Sequence, residues 1–103
     1  MATRIIALFN LKPGVTPEAY EAWARRVDLP AVNGLKSVDQ FEVFKSTGLL
    51  MSDAAPPYAY IEIIDVNDME TFGGEVSTDT MKAIAGEFQA MAADLVFIMT
   101  DKL

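Results

Sequence analysis

Residues 16–30 read TPEAYEAWARRVDLP, and reading this stretch as a helix sets the fold of everything after it. Thr16 suits the N-cap, where its hydroxyl accepts from the free amides of the first turn. Pro17 falls at N1, where a missing N–H costs nothing and the fixed φ fits a helix. Val15 and Tyr20 stand at the two positions of a hydrophobic staple. Tyr20, Trp23, Ala24 and Val27 recur at helical spacing and make one apolar face. Glu21 and Arg25 fall off that face in the favourable i,i+4 order. Pro30 is expected to end the helix by pushing Leu29 out of the α region. Asp28 is then left at the helix exit, beside the end of the apolar stripe.

The segments on either side read as strands. TRIIALFNL at 3–11 is β-branched and aromatic, the pattern of a strand buried on both faces, and Lys12-Pro13-Gly14 turns out of it. Asn33-Gly34 is a turn pair leading into SVDQFEVFKS at 37–46, whose alternation is that of a strand. TGLLMSDAAPP at 47–57 is a long connection, unusually apolar at Leu49, Leu50 and Met51, which fits a lid or a dimer arm. YAYIEIIDV at 58–66 is a strand with Tyr58, Tyr60, Glu62 and Ile64 on one face. NDME at 67–70 is a capping-box variant and predicts a helical turn through Phe72, broken by Gly73-Gly74. Ser77 or Thr78 caps a longer helix to about Ala93, with Met81, Ile84, Ala85, Phe88, Met91 and Ala92 as its inner stripe. LVFIMT at 95–100 is the last strand.

The order βαββαβ with right-handed crossovers gives an α+β, ferredoxin-like fold: a four-stranded antiparallel sheet with two helices on one face. The other face would be apolar and bare, and a large bare apolar face marks an interaction site. Packing two such sheets together gives a homodimer through the sheet face, a dimeric α/β barrel.

Composition narrows the chemistry. The 103 residues, 51% hydrophobic, are expected to form a single domain over 1–103 with a small core. Cysteine and histidine are both missing, so acid–base work falls to carboxylates, Tyr or Lys. Fifteen acidic against eight basic residues give a formal charge of −7, which argues against a nucleic-acid partner. No signal-peptide pattern and no apolar run long enough for a membrane span is present, so a cytoplasmic location is expected. Nucleotide loops, zinc spacings and nucleophile elbows are likewise missing, and neither a cofactor nor a metal is expected. Asp65, Asp68 and Glu70 read as helix-start residues that complement the dipole rather than as metal ligands.

Two carboxylates stand out. Glu62 interrupts an apolar strand, and a buried carboxylate needs a partner or a function. The partner would be Arg4 or Lys45. Asp28, at a helix C-terminus, would have its pKa raised by the dipole, which suits proton exchange. The competing reading is a surface pair with Arg25. Tyr20, Trp23, Tyr60 and Phe88 line an apolar pocket or simply fill the core.

The segment AYEAWARRVDLPAVNGLKSVDQFEVF resembles the EthD-type dimeric α/β-barrel proteins, whose pattern is an aromatic helix, His-x-Pro, and a Gly-containing loop into a strand. Asp28-Leu29-Pro30 stands where that His-x-Pro would be. FNLKPGV, YEAWARRVDLP, FEVFKSTGLL, PPYAYIEIIDVNDM and EFQAMAADLVFIMT together are similar to the RedY-like proteins of HapK type, over nearly the whole chain. The resemblance implies a dimeric barrel protein of prodiginine pigment pathways, acting on or holding a small pyrrole- or indole-type intermediate. On that reading Asp28 is the acid–base residue and Glu62 the second carboxylate. Tyr20, Trp23, Tyr60 and Phe88 contact the ligand, and Asn10 hydrogen-bonds to it. Three roles follow: a cofactor-independent enzyme for condensation, cyclisation or proton transfer, a carrier of a hydrophobic intermediate, or a structural dimer without a pocket.

Overall fold

The computed structural model describes residues 2–103. Strand β1 (Thr3–Leu11) pairs antiparallel with β3 (Tyr60–Val66) on one side and with β4 (Ala92–Thr100) on the other. Strand β2 (Val38–Lys45) pairs antiparallel with β3, so the sheet order is β2-β3-β1-β4. This is the ferredoxin-like order that βαββαβ predicts, and the sheet is open.

Alternation sorts the sheet residues onto two faces. Ile5, Ala7 and Phe9 of β1 and Tyr60, Glu62, Ile64 and Val66 of β3 are buried under the helices. Across the strands, Val43, Glu62, Ala7 and Phe97 form one row of this inner face. The outer face carries the rows Phe44–Ile61–Leu8–Val96 and Glu42–Ile63–Ile6–Ile98. Phe44, Val96 and Ile98 are exposed there, so the apolar outer face expected from the strand composition exists.

The first helical region differs from expectation at Pro30. Helix α1 (Pro17–Trp23) starts as its sequence dictates, with Thr16 Oγ1 accepting from Ala19 N at 3.2 Å. It does not stop at Pro30. A π-helical turn (Ala24–Asp28) leads directly into α2 (Leu29–Asn33), with Leu29 itself helical at φ −58°, ψ −50°. Leu29 N–H donates to Ala24 O, five residues back. A proline inside an α-helix collides with the carbonyl four residues before it, and a π turn loosens that register, so the chain stays helical. The extra residue also turns the buried stripe. Tyr20 and Ala24 are followed on the inner side by buried Asp28 rather than by half-buried Val27. Asn33 at the end of α2 donates to Phe41 O at 3.0 Å and accepts from Phe41 N at 2.9 Å, so its amide serves as a neighbour to edge strand β2.

Two further helices complete the layer. Asp68 caps α3 (Met69–Glu75), which runs straight through Gly73-Gly74 instead of breaking there. Glu75 at its end accepts from Lys36 N and Ser37 N, each at 2.9 Å, which secures this helix by tertiary contacts that propensity does not foresee. Helix α4 (Asp79–Met91) is capped by Thr78, whose hydroxyl accepts from Met81 N at 3.3 Å. It ends two residues early because Ala92 and Ala93 already belong to β4. Within its apolar stripe only Phe88 is buried; Met81 and Ile84 are half-buried and Ala85 is exposed, so α4 lies loosely over the sheet. Between β2 and β3, Leu49 bridges Ser52 across a tight turn, leaving Leu50 and Met51 93% and 96% exposed.

Candidate active site

The π turn brings Asp28 down onto the inner face of the sheet, where strand alternation presents Glu62. Both are buried, at 6% and 4% exposure, they line one cavity, and each carboxyl shifts the pKa of the other. Neither has the ion-pair partner that the competing readings supplied. Arg4 binds Asp65 at 2.7 Å on the outer face. Lys45 and Arg25 both turn to Glu21, at 3.1 and 3.6 Å. Among the described residues no cation pairs with either buried carboxylate.

Burial without a counter-ion disfavours the charged form. The Glu62 carboxyl is pushed up to about 8, first by burial and then by the charge of Asp28 and the hydrogen bond between them. Asp28 is pushed up to about 6 by burial, partly offset by the hydrogen bond from Glu62. The upward direction expected for Asp28 therefore holds, but the cause is different. Asp28 lies within a continuous helical run, and burial, not a helix C-terminus, raises its pKa. Two carboxyls in contact cannot both ionise cheaply, so near neutral pH the pair holds one proton, with Glu62 its main owner.

The pair opens into a cavity of about 160 Å³ between sheet and helices. Its walls are Val32 of α2, Phe41 of β2, Ile64 of β3, Met81, Ile84 and Phe88 of α4, and Phe97 of β4. Helix α4, with only Phe88 buried, forms its roof, and Phe97 pairs with Ala7 beside Glu62 in the register of the sheet. Phe97, 57% exposed, stands at the rim. Sequence reasoning alone does not reach Phe97. Its signal is its pairing with Ala7, which requires knowing the β1–β4 register.

The aromatic residues divide. Phe9, Tyr20, Trp23, Tyr60 and Phe88 form one packed cluster: Phe9 lies 5.5 Å from both Tyr20 and Tyr60 and 4.9 Å from Phe88, centroid to centroid. Trp23 Nε1 donates to Glu87 Oε2 at 3.1 Å, tying α1 to α4. Tyr60 donates its hydroxyl to Glu21 at 2.7 Å. Of the four aromatics proposed for the ligand, Phe88 alone lines the cavity that holds the carboxyl pair. Tyr20 and Tyr60 instead face a smaller recess of about 90 Å³ beside Glu21, Arg25 and Lys45. The Tyr20 hydroxyl is buried without a hydrogen-bond partner among the described residues. Burial holds its pKa far above the ordinary value, and the charges of Glu62 and Asp28 add to that.

Asn10 lies elsewhere and is fully occupied. Its Oδ1 accepts from Ala59 N at 2.9 Å, and its Nδ2 donates to Pro57 O at 3.1 Å and to Asp94 Oδ2 at 3.2 Å. Asp94 is left-handed at φ 56° where the β1–β4 register shifts, so Asn10 clasps a β-bulge to the end of the long loop. Asp65 and Asp68 are committed to Arg4 and to the α3 N-cap. No helix among the described residues is long and apolar enough to cross a membrane.

Comparison with known proteins places this geometry in context. A family model described as "REDY-like protein HapK" matches residues 3–103. Among solved structures, HapK from Hahella chejuensis is 27% identical, with a TM-score of 0.79, over 100% of this chain and 93% of that one. A dimeric ferredoxin-like protein of unknown function from Thermobifida fusca is 24% identical, with a TM-score of 0.77, over 99% and 92%. A mutant form of SnoaB from Streptomyces nogalater, a cofactor-independent oxygenase, is 11% identical with a TM-score of 0.76, over 98% and 92%. No curated protein matches the chain significantly.

The raised carboxyls make a stability prediction whose sign is fixed. Between the ordinary carboxylate range and about 8, the folded state binds more protons than the unfolded one, so stability falls as pH rises through that window. Thermal unfolding should show Tm dropping by at least about 5 °C from pH 5 to pH 8. Glu62→Gln, which keeps the shape and removes the titration, should flatten most of that slope. An identical slope in the variant would place the titrating group elsewhere.

Proposed function

Because the chain belongs to the REDY-like HapK family, we propose that it serves bacterial secondary metabolism of the prodiginine type, in the cytoplasm. It would act on a small pyrrole- or indole-derived intermediate as a cofactor-independent proton-transfer catalyst for condensation or cyclisation. The observation that carries this reading is the uncompensated Asp28–Glu62 pair opening into an apolar cavity. A carboxylate and a carboxylic acid in contact provide a base and an acid at one pH. Asp28 would remove a proton from the carbon or nitrogen that becomes the nucleophile. Glu62 would give its proton to the nitrogen or oxygen of the electrophile. The pair exchanges one proton for another, and no electrons change hands. Phe88 and Phe97, which both line the cavity, would contact the ring of the substrate. SnoaB, described as a cofactor-independent oxygenase, has the same fold, which is consistent with chemistry performed by side chains in such a barrel.

The reading includes a homodimer. The outer rows built from Ile6, Leu8, Ile61, Ile63, Val96 and Ile98 form a continuous apolar surface of the kind that sheet-to-sheet packing covers. A neighbour of this fold from Thermobifida fusca is described as dimeric.

Deletion of the gene in the producing host should accumulate one pathway intermediate, and complementation with Asp28→Asn or Glu62→Gln should leave it accumulating. With purified protein, conversion of that intermediate should fall at least about 100-fold in either variant. Wild-type product levels from Asp28→Asn would mean that the protein carries the intermediate rather than converting it. Sedimentation equilibrium should give a dimer for the wild type, and Ile63→Glu, in the middle of the outer face, should give monomers. A wild-type monomer would remove the dimer from the proposal.

A further inference from the structure

We infer that the cavity is built for a planar cationic nitrogen ligand, of amidinium or conjugated-iminium type, held by the Asp28 and Glu62 carboxyls with its ring against Phe88 and Phe97. The inference rests on the reading of this cavity as the ligand site and adds the class of ligand it takes. Every wall other than the carboxyl pair is apolar: Val32, Phe41, Ile64, Met81, Ile84 and the two phenylalanines. Such a lining gives a ring its hydrophobic contact but gives no donor to an anion.

The charges around the site point the same way. From α1 and the π turn come Glu21, Arg25 and Arg26; Arg25 is turned to Glu21 and Arg26 is exposed. From β2 comes Lys45, also bound to Glu21, and from β3 comes Tyr60, whose hydroxyl is committed to Glu21. The α4 and β4 residues that line the cavity carry no charge. Arg25 and Lys45 are therefore spent on Glu21, and among the described residues no cation pairs with Asp28 or Glu62. Two buried acids with no paired cation are an incomplete electrostatic arrangement. A planar group with two N–H donors and a delocalised positive charge completes it, because a carboxylate pairs best with a donor fork of that shape.

Proton accounting follows. A preformed cation that binds displaces the shared proton to solvent. A neutral base that binds takes the proton from Glu62 and becomes the cation in place, which is also the activation that the proposed condensation needs. Either way the bound species is a cation between two carboxylates.

The test uses three near-isosteric probes on the full chain by calorimetry: benzamidinium, benzamide and benzoate. Benzamidinium should bind at least about tenfold more tightly than benzamide, with benzoate undetectable, as expected for charge in a low-dielectric cavity. Its affinity should rise from pH 5.5 to pH 8, and titrations in buffers of different ionisation enthalpy should show about one proton released per ligand near pH 7. The double variant Asp28→Asn/Glu62→Gln should lose the preference for the cation while leaving the surface charge outside the cavity unaltered. Benzoate binding as well as benzamidinium, no benzamidinium binding at millimolar concentration, or a preference that survives the double variant would each overturn the inference. Cation binding with proton release in a protein whose Asp28→Asn form still makes wild-type product would keep this inference and discard the catalytic reading.

Discussion

Two carboxyl groups buried in contact, with no cation among the described residues to balance them, are the feature on which the rest of this structure turns. An isolated buried charge is so costly that a protein neutralises it by pairing or by taking up a proton. Here Arg4, Arg25 and Lys45, the three cations within reach by sequence reading, are all engaged elsewhere, so a proton is what remains. A fold of 103 residues has little stability to spare, and holding such a pair works against it across the neutral range. Stability is sacrificed at a single point, and that point faces a cavity.

Small local devices bring the pair together. The π turn at Ala24–Asp28 lets the helix pass Pro30 and rotates Asp28, instead of Val27, onto the sheet. Strand alternation places Glu62 on the same face, in a row whose next member is Ala7. The loose seating of α4, with only Phe88 buried from its stripe, leaves the roof open. The packed aromatic cluster around Phe9 lies alongside and gives this end of the domain its rigidity, so the cavity is walled on one side by close packing.

Much of this was legible in the sequence, for reasons that can be named. Hydrophobic alternation and capping residues placed all four strands and the starts of three helices, because those signals are local. Glu62 could be picked out because it interrupts an apolar strand, and Asp28 because it stood at the expected helix exit beside the apolar stripe. What failed was tertiary in origin. Pro30 is a helix stop by local sterics, and the π register that accommodates it is stabilised by packing of the whole run on β2 and β3. Gly73-Gly74 looks like a break, but Glu75 holds α3 in place through the backbone of Lys36 and Ser37. Asn10 was a polar residue in an apolar strand, the same signal that Glu62 gave, yet its partners lie 47 to 84 residues away, at Pro57, Ala59 and Asp94. Phe97 entered the site only through the register of β4 against β1. Periodicity identifies a face; it does not say which residues on that face meet.

The central claim is that Asp28 and Glu62 share one proton at neutral pH. Carbon-13 NMR of the side-chain carboxyls, with Glu62→Gln used to assign the pair, measures it directly. The account predicts two coupled titrations displaced upward, one near 6 and one near 8, with each carbon reporting both steps. Two independent titrations at the ordinary carboxylate values, about 4, would contradict it.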